Sequence, residues 1–292
     1  MKAEKVAVVT GTSTGIGYET SLMLARNGFL TYATMRNLNK SENINLIATK
    51  EKLPIHVKQL DVTNDASVKN AVQAILSETG RIDVLVNNAG YVLSGAFEDL
   101  TMDEIKAQYE TNVFGLIRTT QAVLPTMRQQ RSGIVVNISS AAGRFGYPGG
   151  SAYVSTKFAV EGLSESMLYE LEPFGIKVVV VEPGVIRTNI FNSVVLAKSQ
   201  DPNSPYSQIM QKMTTGFEDM LKNTSSSADL VAKVVLSAVT NENSNLRYLA
   251  GKDVVMLLEA RKNMSDVEFH NLIKKQFNLQ NIQARVISTP RR

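Results

Sequence analysis

Short strand-like runs recur along the chain at residues 5–10, 30–36, 55–60, 82–86, 133–138, 176–182 and 246–249, and several of them are continuous apolar runs. Val178-Val179-Val180-Val181 contains no polar position at all. A strand with one wet face alternates apolar and polar residues, whereas a strand covered on both faces reads as a continuous run. Between the runs, apolar residues return at helical spacing, as in Leu22, Leu24 and Ala25 after the first run. Strand alternating with helix predicts an α/β fold: one doubly wound, mostly parallel sheet with helices on both faces. Two helix starts are written out, because Thr101-Met102-Asp103-Glu104 and Ser265-Asp266-Val267-Glu268 both match a capping box.

Two stretches break this rhythm. Residues 189–226 are rich in Ser, Asn, Pro and Met, and are read as a lid segment inside a domain spanning 1–251. Phe191, Tyr206, Met210, Met213 and Phe217 lie within it, with Phe145 and Tyr147 expected on the opposite wall. They suit either a sizeable apolar substrate or a simple cover for the domain. Past 251 comes a C-terminal extension, 252–292. Its residues 252–279 read as helices in which Phe269, Leu272, Ile273 and Phe277 share a face opposite Lys274 and Lys275. That face suits a partner, a membrane surface or the chain's own domain, and the last is the expectation adopted. Residues 280–292 are expected to be disordered.

Composition narrows the function classes. The 292 residues are 43% apolar with a net charge of +4, and the basic residues form no stripe, so no nucleic-acid partner is expected. There is no cysteine, which excludes disulfides, thiol catalysis and cysteine-bound zinc, and a cytoplasmic location is expected. No run approaches the length of a membrane-spanning helix. His56 and His270 stand alone, so no metal site is expected.

The candidate chemistry sits at the ends of the apolar runs. The first run stops at Gly11, and Gly11-Thr12-Ser13-Thr14-Gly15-Ile16-Gly17 leads into a helical pattern. Strand, glycine-rich turn and helix form the context for binding a dinucleotide: the glycines admit the pyrophosphate and the helix N-terminus favours its charge. The spacing is Gly-x-x-x-Gly-x-Gly, which departs from the usual fingerprint. Further on, Tyr153 and Lys157 stand four apart, on one face of a helix. A cation about 4 Å from the phenol would favour tyrosinate by roughly 4 kcal/mol at an effective dielectric near 20. That predicts a phenol pKa lowered by up to about 3 units, less the cost of burying the lysine.

Together Thr10 to Gly17, Asn87-Asn88-Ala89-Gly90, Ser140, Tyr153 with Lys157, and Pro183-Gly184 with Thr188 resemble the short-chain dehydrogenase/reductase family. The resemblance covers residues 5 to 250 and fits the main branch, nearest its hydroxysteroid and retinol dehydrogenase side. It implies a Rossmann-type sheet and a site assembled from these motifs. Tyr153 would be the acid in reduction and the base in oxidation. Lys157 would depress its pKa and bond the nicotinamide ribose, and Ser140 would hold the substrate oxygen, with Ser139 as rival. Asn112 would anchor a water leading to Lys157, unless it makes only a packing hydrogen bond. Gly11, Ser13, Thr14, Gly15, Ile16 and Gly17 would receive the pyrophosphate. Asp61 and Val62 would meet adenine, unless Asp61 caps the next helix. Asn88 and Gly90 would flank the adenine ribose or hold the sheet open for it. Pro183, Gly184, Ile186 and Thr188 would fix the carboxamide. The family also implies a homodimer through the helices around 102–129 and 151–174, with a tetramer as the larger form.

NAD specificity would need an acid near Met35, and none occurs before Glu42. Arg36 stands there instead, suited to a 2′-phosphate. The expected activity is therefore NADP(H)-dependent interconversion of a carbonyl and an alcohol on a fairly apolar substrate, with NAD as the weaker cofactor. The rivals are a 3-oxoacyl thioester reductase, which would use the same catalytic residues, and a non-catalytic dinucleotide sensor.

Overall fold

The computed structural model describes residues 5–187, 194–198, 204–241 and 245–282. Seven of its strands form one sheet: β1 (Lys5–Thr10), β2 (Phe29–Met35), β3 (Ile55–Gln59), β4 (Val84–Asn87), β6 (Gly133–Ile138), β7 (Ile176–Pro183) and β11 (Arg247–Ala250). Four shorter strands pair off outside it: β5 (Val92–Ser94) with β9 (Val194–Leu196), and β8 (Ile186–Arg187) with β10 (Ser226–Ser227). The sheet order is β11-β7-β6-β4-β1-β2-β3, and every pairing is parallel. The chain leaves β1 toward one edge and returns through β4 on the other side. A crevice therefore opens at the carboxyl ends of β1 and β4.

Helices cover both faces: α1 (Gly15–Arg26), α2 (Glu42–Glu51), α3 (Asp65–Thr79), α4 (Met102–Tyr109), α5 (Gly115–Gln130), α6 (Ser151–Leu171), α7 (Ser207–Asn223), α8 (Ala228–Thr240), α9 (Lys252–Asn263) and α10 (Asp266–Gln276). The period-two geometry of a strand splits each apolar run between two cores. Val6, Val8 and Val178 face α3, α5 and α6, whereas Ala7, Val9, Val179 and Val181 face α1 and α8. Both capping boxes form, at Thr101 with Glu104 and at Ser265 with Glu268. Among the described residues, no helix is long and apolar enough to cross a membrane.

A buried polar ladder crosses the first of these cores beside α6. Asn87 Nδ2 donates to Thr120 Oγ1 and to Asn137 Oδ1, each at 2.9 Å, and its Oδ1 accepts from Thr119 Oγ1 at 2.6 Å. Asn137 Nδ2 then donates to Ser164 Oγ on α6 at 2.9 Å. Four elements (α5, β4, β6 and α6) are tied together in this way.

The structure departs from the sequence reading in the segment read as a lid. The segment taken as a lid loop contains the 17-residue helix α7, on which Met210, Met213, Phe217 and Met220 recur at helical spacing. Those side chains pack with Phe145, Phe269, Ile273 and Phe277, so α7 holds the C-terminal extension against its own domain. The extension itself is helical, as expected, and its apolar face is buried there. Phe191 and residues 283–292 lie outside the described residues.

Candidate active site

The glycine turn is shaped by close backbone approach. Gly11 and Gly15 have φ of 71° and 65°, in the left-handed region that favours glycine. A Cβ on Gly17 would lie 2.4 Å from Asn88 Nδ2 and 2.5 Å from Gly11 O, so only glycine fits. Asn88 explains this tightness. Its Nδ2 donates to Thr10 O at 2.9 Å and Gly11 O at 3.0 Å, while Thr10 Oγ1 accepts from the N–H groups of Asn88 and Ala89. Asn88 thus clamps the turn, and its amide nitrogen is occupied by that duty. Thr14 caps α1 without a side-chain hydrogen bond, and no acidic residue stands in the helix's first turn. Free N–H groups, no negative charge and a glycine cradle suit a pyrophosphate.

Where the sequence reading put the adenine end, Arg36 is exposed just past β2 and has no acidic partner among the described residues. Met35 is buried with Leu22, Ala33 and Ile44. Asp61 caps no helix. Its Oδ1 accepts from Thr63 N and Thr63 Oγ1, and Asn64 caps α3 instead. Val62 is buried, and its carbonyl accepts from the Arg118 guanidinium at 2.6 Å.

Ser140 follows the end of β6 and caps a 3₁₀ turn, Ala141–Gly143, accepting the Ala142 N–H at 3.1 Å. Its hydroxyl is also hydrogen-bonded to the Tyr153 hydroxyl. Ser139, the rival, is buried against Gly143, and its hydroxyl has no protein partner. The structure therefore joins Ser140, not Ser139, to the tyrosine.

Lys157 is buried and donates to Ile138 O at 2.8 Å, with Nζ 5.7 Å from the centre of the Tyr153 ring. This arrangement changes the expected electrostatics. Burial pushes the Tyr153 phenol up to about 12, and the Ser140 hydrogen bond offsets this in part. Burial lowers the Lys157 ammonium to about 8, opposed by the charge of Glu161 one turn further along α6. The expected net depression of the phenol does not result, because desolvation prevails.

Behind Lys157 two buried carboxylates, Glu161 and Glu182, meet arginines nearer the surface. Arg247 Nε reaches Glu161 at 2.9 Å and Glu182 at 3.2 Å, and Arg144 bonds Glu182 at 3.0 Å. Burial, then the Glu161 charge, raise the Glu182 carboxyl above its usual range, while both arginines pull it back. Sequence reasoning missed this cluster, whose members are spread over residues 144 to 247.

Asn112 sits in a π turn, Glu110–Phe114, between α4 and α5. An inserted residue of this kind recurs at functional sites. Its Oδ1 accepts from Tyr91 N at 3.1 Å, and its Nδ2 donates to Tyr91 O at 3.0 Å and Thr156 Oγ1 at 3.2 Å. The side chain is thus spent on joining the loop after β4, next to Gly90, to the residue beside Lys157. Pro183 ends β7, Gly184 N donates to Ala250 O, and Ile186 lies in β8. Thr188 lies outside the described residues.

Gly11, Asn88, Ser140 and Gly184 lie past the carboxyl ends of β1, β4, β6 and β7, and Arg36 and Asp61 past those of β2 and β3. The family described as short chain dehydrogenase matches residues 5–199. A 3-ketodihydrosphingosine reductase of Bacteroides thetaiotaomicron is 36% identical over 258 residues, covering 88% of this chain and 92% of that protein. A short-chain dehydrogenase of Streptomyces avermitilis superposes with a TM-score of 0.82 at 32% identity, covering 95% of this chain and 98% of that one. An alcohol dehydrogenase of Thermococcus sibiricus, complexed with 5-hydroxy-NADP, gives a TM-score of 0.70 at 25% identity, covering 84% and 95%. The glycine cradle, the bonded Ser–Tyr pair and a match over two thirds of its length place the chain in the short-chain dehydrogenase/reductase family of oxidoreductases.

Proposed function

We propose that the protein interconverts a carbonyl and an alcohol on an apolar substrate, with NADP(H) as cofactor. The observation that carries this reading is the Tyr153 hydroxyl held by Ser140, with the Lys157 ammonium alongside. The dinucleotide, when bound, supplies or accepts the hydride. Tyr153, protonated at neutral pH, donates its proton to the carbonyl oxygen in reduction and takes it back in oxidation. Ser140, already bonded to that hydroxyl, orients it and holds the substrate oxygen. Lys157, largely cationic below pH 8, stabilises the tyrosinate left behind.

The exposed, unpaired Arg36 supports NADP(H) over NAD(H). Asn88, Gly90 and Asn112 act as scaffold for the turn and the catalytic helix. Asp61 and Val62, past the end of β3, remain the adenine-side residues of this reading, with Val62 acting through its backbone. The likeness to a 3-ketodihydrosphingosine reductase supports an extended hydrocarbon substrate. Phe114, Phe158 and Tyr169 expose large apolar surface on the π turn and α6, which supports a homodimer through these helices.

The test is an NADPH-oxidation screen across long-chain β-hydroxy ketones, steroids, retinal, quinones, small ketones and 3-oxoacyl thioesters. Turnover is expected with at least one long-chain or polycyclic carbonyl. Turnover confined to 3-oxoacyl thioesters would replace the substrate class. NADPH binding without turnover on any carbonyl would favour the non-catalytic sensor.

A further inference from the structure

The C-terminal extension reaches into the cofactor side of the crevice through one carboxylate. Asp253, in the first turn of α9, is buried, and its Oδ2 accepts the Val185 N–H at 2.6 Å. That is the short distance of a charge-assisted hydrogen bond. Space for the carboxylate is made by glycine on two sides. A Cβ on Gly184 would lie 2.2 Å from Oδ2, and one on Gly251, whose φ is 137°, would lie 2.4 Å from Oδ1. Oδ1 itself is buried without a protein partner.

The same extension grips the opposite side of the site. Val254, next to Asp253, packs in one cluster with Ala141 and Phe145, just after Ser140, and Phe269 of α10 meets Phe145 edge-on at 5.4 Å. One pair of helices therefore holds both the segment after Ser140 and the turn after β7.

We infer that Asp253 is a positioning residue: it sets the backbone of the Pro183-Gly184-Val185 turn on which the nicotinamide end of the dinucleotide seats. This rests on the dinucleotide reading above. A strut that merely stabilised the β7–β11 edge would affect all ligands alike, whereas a residue setting this turn acts only on the nicotinamide end.

The experiment compares binding of NADPH and of 2′-phospho-ADP-ribose, which lacks nicotinamide, by titration calorimetry on the full chain and on Asp253→Ala and Asp253→Asn. Asp253→Ala is expected to weaken NADPH about tenfold, the loss of one hydrogen bond to a charged acceptor, and 2′-phospho-ADP-ribose less than about twofold. Asp253→Asn, whose amide oxygen still accepts from Val185, is expected to stay within about threefold for both ligands. Equal weakening of both ligands by Asp253→Ala, or no weakening, overturns the inference while leaving the dinucleotide reading intact. A wild-type chain that binds neither NADPH nor NADH overturns both. Should Asp253→Ala fail to fold, Asp253→Glu takes its place, since its extra methylene drives the carboxylate into Gly184. Selective loss of NADPH by that variant supports the inference, and any other pattern overturns it.

Discussion

Replacing Lys157 by Met removes one proton-binding group from the interior and should change how stability varies with pH. Burial lowers this ammonium from 10.5 to about 8, a drop of about 2.5 units. At 1.36 kcal/mol per unit, the charged lysine costs the fold about 3 kcal/mol. Below pH 8 both the folded and the unfolded lysine hold the proton, so the cost is present in full. Between pH 8 and 10.5 only the unfolded lysine still holds it. Unfolding then takes up a proton, and stability rises with pH. The wild type should therefore gain about 2–3 kcal/mol on the Met variant between pH 7 and pH 10. Loss of the donor to Ile138 O costs the variant about 1 kcal/mol, but that cost does not depend on pH and drops out of the comparison. Urea unfolding of both proteins at pH 7, 8, 9 and 10 measures the difference directly. Parallel curves would show that the ammonium is not desolvated as its surroundings require.

Four further outcomes are expected. Tyr153→Phe should lower kcat by at least about two orders of magnitude while the Kd for NADPH stays near the wild-type value; retained turnover removes Tyr153 from the mechanism. Arg36→Ala should reduce kcat/KM with NADPH by about tenfold and leave that with NADH unchanged, and equal effects on both cofactors would refute 2′-phosphate recognition. Gly17→Ala forces a methyl onto a backbone oxygen, so it should destabilise by about 1–3 kcal/mol and weaken dinucleotide binding; a Tm unchanged in thermal melts would contradict the tight approach. Phe269→Ala empties part of the cluster that seats the extension, at a cost of about 3–5 kcal/mol read by urea unfolding.

Much of the site was legible because its residues lie just past strand ends, where apolar runs stop at Gly11, Asn87, Ser139 and Pro183. The seven sheet strands fall within two residues of the apolar runs for the same reason. What escaped depends on contacts between distant residues. Asp253 and Val185 are 68 positions apart, and nothing around Asp253 marks it as more than an early-helix acid. The π turn at Asn112 is invisible because one inserted residue hardly disturbs the helical period. Helix α7 was hidden by its many Ser, Thr and Asn neighbours, although its methionines and Phe217 carried the spacing. Cofactor choice is best tested at Arg36. Met35 is buried, so an acid placed there would combine specificity with a buried charge, and exposed Arg36 is the cleaner site.

The ladder from Thr119 and Asn87 through Asn137 to Ser164 has a consequence for how freely α6 can move. Apolar ridges tolerate small slips, because one methyl replaces another at little cost. A chain of side-chain amides and hydroxyls does not, since a slip strands several donors and acceptors in a dry interior at once. Sliding α6 by a single turn would unmake Asn137–Ser164 with no replacement partner nearby. The phenol and the ammonium therefore keep one fixed height above the sheet, whatever occupies the crevice.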